Sequence, residues 1–168
     1  IGRKRAKSVP ACHTIAGVCD IQTERAEELA LMTGCGFVTD DYKKLVELPG
    51  LDLVIVSTLN NLLAPITLYA VERGKHVIVE KPGGICSEEL LPVIEAAEKK
   101  HVVVKVGFNH RYHPAMLKAK EIMEREVTGE VMFIRGRYGH GGRVGYDREW
   151  RADASLSGGG ETIDQGVH

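Results

Sequence analysis

Short apolar runs rich in β-branched residues alternate, as far as residue 107, with longer segments whose apolar residues recur at helical spacing. This alternation is typical of βα units around a parallel sheet. The pattern therefore predicts an open, doubly wound α/β fold. The predicted strands cover 14–19, 37–39, 53–57, 76–79 and 102–106. The predicted helices cover 23–32, the segment that runs through residue 48 after the N-cap pair Asp40-Asp41, and 64–73, and a further helix begins at residue 87.

Two of these segments allow a more detailed prediction. Residues 53–57 are almost continuously apolar, which is typical of a central parallel strand covered on both faces. Ser87 precedes an amphipathic segment and is predicted to cap its helix. The inner face of that helix is predicted to consist of Leu90, Leu91, Ile94 and Ala97.

The pattern changes after residue 107. Residues 113–126 predict a helix, and 130–138 alternate as a long strand with one polar face. A loop rich in Gly and Arg follows, and the glycines at 158–160 lead into a segment with helical spacing. We therefore predict two domains, the doubly wound unit over 1–107 and the beginning of an α+β domain over 108–168.

The composition restricts the class of protein and its partners. The chain has 168 residues, of which 43% are hydrophobic and 27% are charged, as expected for a globular protein. Its net charge of -1 gives no general attraction to nucleic acid or to an anionic membrane. No apolar run approaches the roughly 20 residues that span a bilayer. We therefore expect neither a nucleic acid nor a membrane as partner.

The first residue and the cysteines favour a piece of a cytoplasmic protein. The chain begins with Ile1 rather than Met, and no apolar core of a signal peptide follows. The four cysteines lie far apart without a CxxC pair, which favours free thiols in a reducing compartment over a disulfide framework or a zinc site. The expectation is a cytoplasmic protein without a bound metal, cut at both ends.

Gly2 and Asp20 have the spacing of a dinucleotide-binding unit. Such a unit places a glycine-rich turn at a helix N-terminus to hold the pyrophosphate, and an acid about 20 residues later to bond the ribose hydroxyls. Gly2 fits the last glycine of the turn, and Asp20 lies 18 positions after it. A carboxylate there favours NAD over NADP because it repels a 2′-phosphate. Alternatively, Asp20 only caps the following helix. The adjacent basic residues 3–7 form either a phosphate site, which would count against the preference for NAD, or a solvated helix face.

Two further groups of residues have acid–base chemistry. Lys81 follows the strand 76–79 at its carboxyl end, where open α/β sheets bind ligands, and can donate a hydrogen bond to a substrate hydroxyl. Asp164 and His168 are spaced i,i+4, so both project from one helix face, and a histidine can accept the hydroxyl proton when an alcohol is oxidised. Alternatively, Lys81 is a surface lysine and the acid–histidine pair is an ordinary helix-surface pair. The glycines at 158–160 favour the functional interpretation because they allow close backbone approach to a ligand.

Together these motifs resemble the Gfo/Idh/MocA family of oxidoreductases, which includes glucose–fructose oxidoreductases and inositol dehydrogenases. The resemblance covers essentially the whole chain. It rests on the order and spacing of Asp20, Gly74-Lys75-His76-Val77, Glu80-Lys81-Pro82, Gly107, Arg111, Pro114, Gly158-Gly159-Gly160, Asp164 and His168. It implies an N-terminal NAD(P)-binding Rossmann domain and a C-terminal α/β domain with an open, largely antiparallel sheet. That sheet often mediates oligomerisation, so the resemblance implies a homo-oligomer for the full-length protein.

The resemblance also implies roles for individual residues. Lys81 would contact the substrate and the nicotinamide side of the site, His168 would be the catalytic acid–base residue, and Asp164 would be its partner in the substrate pocket. The Lys81–Pro82 bond is often cis in the family. The implied cofactor contacts are Gly2, Asp20, Ile21, Thr58, Asn60, Glu80, Lys81 and Asn109. The implied substrate contacts are Arg111, Tyr138, His140, Lys81, Asp164 and His168.

One segment departs from the family pattern. Many members have Thr-Pro-Asn-x-x-His after the family's fourth strand, which corresponds to the predicted strand 53–57 of this chain. This chain lacks both the proline and the histidine there. The departure affects the shape of the loop more than its chemistry. The segment consists of Thr58-Leu59-Asn60-Asn61-Leu62-Leu63.

The expected function is an NAD(P)-dependent oxidoreductase, with NAD preferred, that oxidises a hydroxyl of a sugar, a nucleotide sugar, a uronate or a polyol by hydride transfer. The alternatives are an NAD-using glycosidase on the same scaffold and a non-catalytic sugar- or dinucleotide-binding regulator. The loop after residue 134 favours an anionic sugar, because guanidinium groups match carboxylates and phosphates. Alternatively, this loop is solvated or forms a subunit contact. Its arginines and aromatic residues are Arg135, Arg137, Arg143, Arg148, Arg151, Tyr138, His140, Tyr146 and Trp150.

Overall fold

The computed structural model describes residues 1–127, 129–137, 139 and 144–168. Its α-helices and β-strands are, in chain order, α1 (Gly2–Lys7), β1 (Val18–Cys19), α2 (Thr23–Thr33), β2 (Val38–Thr39), α3 (Tyr42–Val46), β3 (Leu53–Val56), α4 (Asn60–Glu72), β4 (His76–Val79), α5 (Leu91–Lys100), β5 (Val104–Val106), α6 (Pro114–Glu124) and α7 (Ala154–Ser157). Short 3₁₀ helices cover Asn109–Tyr112, Tyr146–Arg148 and Trp150–Ala152, and a π-helix covers Thr162–Gly166.

The strands form two parallel sheets, which confirms the prediction of an α/β fold with parallel strands. β1 pairs with β2 so that Val18 lies opposite Val38. β3, β4 and β5 form the second sheet in that order, with Val79 opposite Val106. Because neighbouring strands run parallel, the carboxyl ends of β3, β4 and β5 lie at one edge, which is where α/β folds bind ligands.

The main core lies between the second sheet and α4. Leu63 of α4 and Val77 of β4 are almost fully buried in one apolar cluster. Residues 53–57 were expected to be covered on both faces, and this is wrong, because Leu53 and Ile55 are 42% and 36% exposed. Side chains alternate between the two faces of a strand, so one face of β3 joins the core and the other stays partly open.

Two helices begin at residues other than those predicted. α4 begins at Asn60, about one turn earlier than residue 64. α5 begins at Leu91, so the prediction that Ser87 caps it is wrong. Pro92 lies in the first turn of α5, where its missing N–H costs no intrahelical hydrogen bond, and this placement explains the late start.

α5 presents a different face to the core from the one predicted. Val93 is its buried residue, and Ala96 and Ala97 pack against the main core. Leu91 and Ile94 are instead 58% and 53% exposed, so the predicted inner face is correct only at Ala97. Successive side chains point about 100° apart around a helix axis. The apolar residues of α5 are therefore compatible with either of two neighbouring faces packing on the core, and the sequence pattern alone does not choose between them.

The chain after β5 is helical or irregular. His113 caps α6, since its Nδ1 accepts a hydrogen bond from the Ala115 N–H at 3.2 Å. The predicted strand over 130–138 is wrong for its described residues, which form no strand. A strand is stabilised by pairing, and the described chain offers this segment no neighbouring strand. Over the described ranges, none of the helices combines the length and apolar character required to cross a membrane.

Candidate active site

Lys81 and Asp164 meet at the carboxyl end of β4. The peptide bond between Lys81 and Pro82 is cis, as the family resemblance implied. Nζ of Lys81 lies 2.5 Å from Oδ1 of Asp164 and also donates to the backbone carbonyl of Asp164. Only 19% and 14% of the two side-chain surfaces are exposed. The fold thus brings together two candidate residues that are 83 positions apart.

Gln165 and Arg151 complete the surroundings of the Asp164 carboxylate. Nε2 of Gln165 donates to Oδ2 at 2.9 Å, and Nε of Arg151 lies 3.8 Å from the same oxygen. Burial raises the pKa of Asp164, but the hydrogen bond and charge of Lys81, assisted by Gln165 and Arg151, outweigh burial and hold the pKa below its usual value. Asp164 is therefore an anion that fixes the ammonium group of Lys81.

His168 stacks on His110. The two imidazole centroids lie 3.8 Å apart, with an angle of 26° between the ring planes. The ring of Phe108 meets His168 edge-on, with centroids 6.4 Å apart. Partial burial, and then the charges of His110 and Lys81, lower the pKa of His168 against the opposing effect of nearby carboxylates. The imidazole is therefore neutral at pH 7, which is the form that accepts a proton.

The prediction that Asp164 and His168 project together from one α-helical face is wrong. Thr162–Gly166 is a π-helix, and His168 lies beyond its end. A π-helix closes its turns over more residues than an α-helix, so side chains four positions apart no longer align. Asp164 consequently bonds to Lys81, whereas His168 stacks on His110. Nδ1 of His168 is buried and has no hydrogen-bond partner among the residues that the structure describes.

Two buried contacts hold the segment that leads to Asp164 against the rest of the fold. Nδ2 of Asn60 donates to the carbonyl of Ser157 at 2.9 Å, and the two residues are only 4% and 5% exposed. Gly158 has a φ of +84°, and a Cβ added to it would lie 2.9 Å from the backbone oxygen of Ile85. Asn60 was expected at the cofactor. Its amide Nδ2 holds α7, a contact that no sequence motif indicated, and its expected contact with the cofactor stays a prediction.

Glu80 forms an ion pair with Arg5 of α1, and their side chains are 13% and 32% exposed. Gly107 lies beside this pair, and a Cβ there would make ordinary contacts, 3.4 Å from the Arg5 guanidinium and 3.6 Å from the Glu80 carboxylate. The basic residues 3–7 were expected to form a phosphate site or a solvated helix face, and Arg5 does neither. Glu80 was expected at the cofactor. Its carboxylate pairs with Arg5, which fixes α1 beside the end of β4, and its expected contact with the cofactor stays a prediction.

The ribose-binding candidate lies at the carboxyl end of β1. Asp20 follows this strand, and its Oδ1 accepts the N–H of Gln22 at 2.9 Å. Gln22 is the N-cap of α2, so Asp20 is not itself the N-cap but satisfies a backbone N–H at the start of this helix. Ile21, beside it, is 83% exposed. The other cofactor candidates, near the ends of β3 and β5, are Gly2, Thr58 and Asn109.

The substrate candidates are only partly placed. Arg111 is exposed in the 3₁₀ helix after β5. Arg151 was expected in an anion-binding loop. Besides its contact with Asp164, its guanidinium lies 3.3 Å from the Glu149 carboxylate and 4.5 Å from the ring centroid of Trp150. Its charge is therefore compensated within the protein. The candidates that lie outside the described residues are Tyr138 and His140.

The cysteines carry free thiols. Burial, and then the charges of Asp20, Asp41 and Asp40, raise the pKa of Cys19 to about 11. This thiol is therefore protonated at neutral pH and is a poor nucleophile. In the part of the chain that the structure describes, no three His, Cys, Asp or Glu side chains form a group that could hold a metal ion.

Two family profiles match the chain. The oxidoreductase family profile with an NAD-binding Rossmann fold matches residues 2–108. The GFO/IDH/MocA C-terminal domain profile matches residues 116–168. The first match alone covers more than half of the chain, and the residues that it covers form the parallel strands described above. The chain therefore belongs to the Gfo/Idh/MocA family of oxidoreductases, which confirms the resemblance that the motifs indicated.

Individual relatives include enzymes that act on sugars. The chain is 31% identical over 161 residues to levoglucosan dehydrogenase of Pseudarthrobacter phenanthrenivorans, covering 95% of this chain and 41% of that protein. It is 31% identical over 101 residues to alpha-N-acetylgalactosaminidase of Bacteroides fragilis, covering 60% of this chain and 24% of that protein. A solved structure of levoglucosan dehydrogenase with NADH and levoglucosan gives a TM-score of 0.77 at 28% identity, over 90% of this chain and 42% of that chain. The chain thus spans less than half the length of these relatives.

Proposed function

We propose that the full-length protein is an NAD-dependent dehydrogenase that oxidises a hydroxyl group of a sugar or polyol. The observation that carries this proposal is the arrangement of Lys81, Asp164 and His168 at the carboxyl end of β4. Alcohol oxidation needs one group that binds the oxygen and one that accepts its proton, and a fixed ammonium with a neutral imidazole meets both needs. The similarity to levoglucosan dehydrogenase supports the substrate class.

In this proposal Lys81 binds the hydroxyl oxygen of the substrate. An ammonium group has three N–H donors, and two of them go to the carboxylate and the carbonyl of Asp164. The third donor serves the substrate oxygen. The positive charge of Lys81 then stabilises the negative charge that develops on this oxygen as its proton leaves. Asp164 contributes by holding the ammonium group in one orientation.

His168 accepts the hydroxyl proton. Its lowered pKa keeps the imidazole neutral at the pH where the enzyme works, so the ring nitrogen is ready to accept. The resulting imidazolium lies near the carboxylates of Asp164 and Glu80, which stabilise it. It also lies near the positive charge of Lys81, which favours release of the proton after the reaction.

The carboxyl ends of β1 and β3 fit NAD. Bound NAD supplies the acceptor for the hydride that leaves the carbinol carbon. Asp20 offers a carboxylate to the ribose hydroxyls, and Ile21 offers an exposed apolar surface to the adenine ring. A Cβ added to Gly2 would lie 3.9 Å from Cβ of Ser57, an ordinary contact, so packing within the protein does not require glycine there. Close approach of the pyrophosphate explains this glycine better.

The anionic character of the substrate stays a prediction from the sequence. Arg151 does not support it, because its charge is compensated by two carboxylates. Arg111 is exposed beside the site and is the arginine we assign to an anionic group of the sugar. We also propose that the full-length protein is a homo-oligomer, on the basis of the family resemblance alone.

A glycosidase that uses NAD without consuming it is the second candidate. The similarity to alpha-N-acetylgalactosaminidase favours it. Such an enzyme would restore its cofactor in each turnover, whereas a dehydrogenase accumulates NADH in proportion to its product. A non-catalytic binding module is disfavoured, because Lys81, Asp164 and a neutral His168 are present together.

Replacing Asp20 by serine is expected to lower the preference for NAD over NADP by at least about tenfold. The variant removes the negative charge that repels a 2′-phosphate and one acceptor for the ribose hydroxyls, and a tenfold change corresponds to about 1.4 kcal/mol. Calorimetric titration of the full-length protein with both cofactors measures the change. Asp52→Ser alters an exposed aspartate before β3 and is the matched control. An unchanged ratio of the two affinities in Asp20→Ser would remove Asp20 from the ribose site.

A further inference from the structure

His110 faces the imidazole that serves as proton acceptor in the proposed function. It lies in the 3₁₀ helix Asn109–Tyr112, and its carbonyl accepts the N–H of His113 at 3.0 Å. His168 follows the π-helix, and its N–H donates to the carbonyl of Gln165 at 3.2 Å. The two rings therefore come from separate segments, each of which is held by its own backbone hydrogen bonds.

The contact between the two rings is a face-to-face stack. Their centroids are 3.8 Å apart, and the ring planes differ by 26°. Two neutral imidazoles pack well in this arrangement. Two imidazolium ions at this distance, in a site that is partly shielded from water, repel each other strongly. A positive charge on His110 therefore disfavours an imidazolium at His168.

We propose that His110 is a positioning residue for the reaction. It holds the ring of His168 in place by stacking on it and, because a charge on one ring disfavours a charge on the facing ring, favours the neutral form of His168. The inference rests on the proposed function, in which His168 accepts the hydroxyl proton. His110 acts through His168 and is assigned no contact with substrate or cofactor.

The other groups around His168 do not replace this effect. Among the residues that the structure describes, its titratable neighbours, from its own segment and from the elements packed on it, are His110, Lys81, Asp164 and Glu80. The ammonium of Lys81 disfavours an imidazolium, and the two carboxylates favour it. Each carboxylate is already paired with a cation, Asp164 with Lys81 and Glu80 with Arg5, which weakens its attraction for a further proton. Phe108 adds an uncharged ring edge.

A purely structural role for His110 makes a different prediction. If only stacking matters, any flat aromatic ring at position 110 supports His168 equally well, and the pH dependence of the reaction does not change. His110→Phe separates the two roles, because it keeps an aromatic ring and removes the titratable nitrogens. His110→Gln removes the charge with a smaller polar side chain and provides a second variant if the first does not fold.

The first test is the pH profile of kcat/KM of the full-length enzyme with NAD and levoglucosan. The acid limb of this profile reports the protonation of the proton acceptor in the free enzyme. We expect the limb to move to higher pH by about one unit in His110→Phe, so that the rate at a fixed pH on the limb falls about tenfold. His13→Phe, which replaces an exposed histidine in the loop before β1, is the matched control and leaves the limb in place. An unmoved limb in both His110 variants would overturn the proposal.

NMR titration of the histidine rings provides a second test that does not depend on activity. We expect the pKa of His168 to rise in His110→Phe, because the charge of His110, which lowers it, is gone. A shift in a protein that lacks dehydrogenase activity supports the coupling and overturns the proposed function. Dehydrogenase activity without this shift overturns the coupling and leaves the proposed function intact.

Discussion

Replacing Lys81 by alanine should lower kcat/KM by at least about 100-fold, with a far smaller loss of NAD affinity. The variant removes the N–H that binds the substrate oxygen and the charge that stabilises it as its proton leaves. It also leaves the Asp164 carboxylate with Gln165 and the more distant Arg151 as its other partners. The pKa of Asp164 should then rise, because its main stabilising partner is gone.

Steady-state kinetics and cofactor titration of the same full-length variant test this prediction together. Lys99→Ala changes an exposed lysine in the last turn of α5 and is the matched control, with wild-type values expected for both measurements. Lys81→Arg keeps the positive charge and is still expected to lose activity, because a planar guanidinium cannot reproduce the donor geometry of an ammonium. Equal losses of turnover and of NAD affinity in Lys81→Ala would contradict the role assigned to this residue.

Gly158→Ala should lower the free energy of unfolding by about 2–5 kcal/mol and reduce turnover as well. The φ of +84° disfavours any L side chain, and the added Cβ would lie 2.9 Å from the backbone oxygen and from Cβ of Ile85. Backbone atoms cannot move aside as the end of a flexible side chain can. The segment that follows Gly158 must therefore shift, and with it the contact between Asp164 and Lys81.

Gly160→Ala separates the backbone effect from the steric one. Gly160 also has a positive φ, +52°, but its added Cβ would meet nothing within 4 Å. Its alanine variant is expected to cost only about 1 kcal/mol. Urea unfolding of both full-length variants gives the comparison. Equal costs for the two substitutions would show that the contact with Ile85 does not hold this segment in place.

The fold was predictable from the sequence where local pattern and local chemistry agree. Residues 76–79 form a strand because three successive β-branched residues, Val77, Ile78 and Val79, lie between His76 and Glu80, and the strand was found with the predicted bounds. Gly34 ends α2 with a left-handed backbone, the conformation that glycine commonly supplies just after the last turn of a helix. The prediction failed over 130–138, because a strand also needs a partner and the pattern of one segment cannot supply it.

The candidate site was predictable only in part, because its contacts join distant segments. Asn60 and Ser157 are 97 positions apart, and no periodicity relates them. Arg5 belongs to a basic run that resembles an ordinary solvated helix, and only the fold shows that its guanidinium meets Glu80. The spacing of Asp164 and His168 was misleading, because spacing arguments assume an α-helix and a π-helix changes the faces.

The most direct test of the proposed function is isotope transfer by the full-length protein. The protein is incubated with NAD and with levoglucosan or a methyl glycoside of a uronate, each carrying deuterium at its hydroxyl-bearing carbons. We predict that each molecule of oxidised product is matched by one molecule of NADH, and that this NADH carries one deuterium. The contradictory result is a folded protein that binds NAD but releases sugar products without accumulating deuterated NADH, which would favour the glycosidase instead.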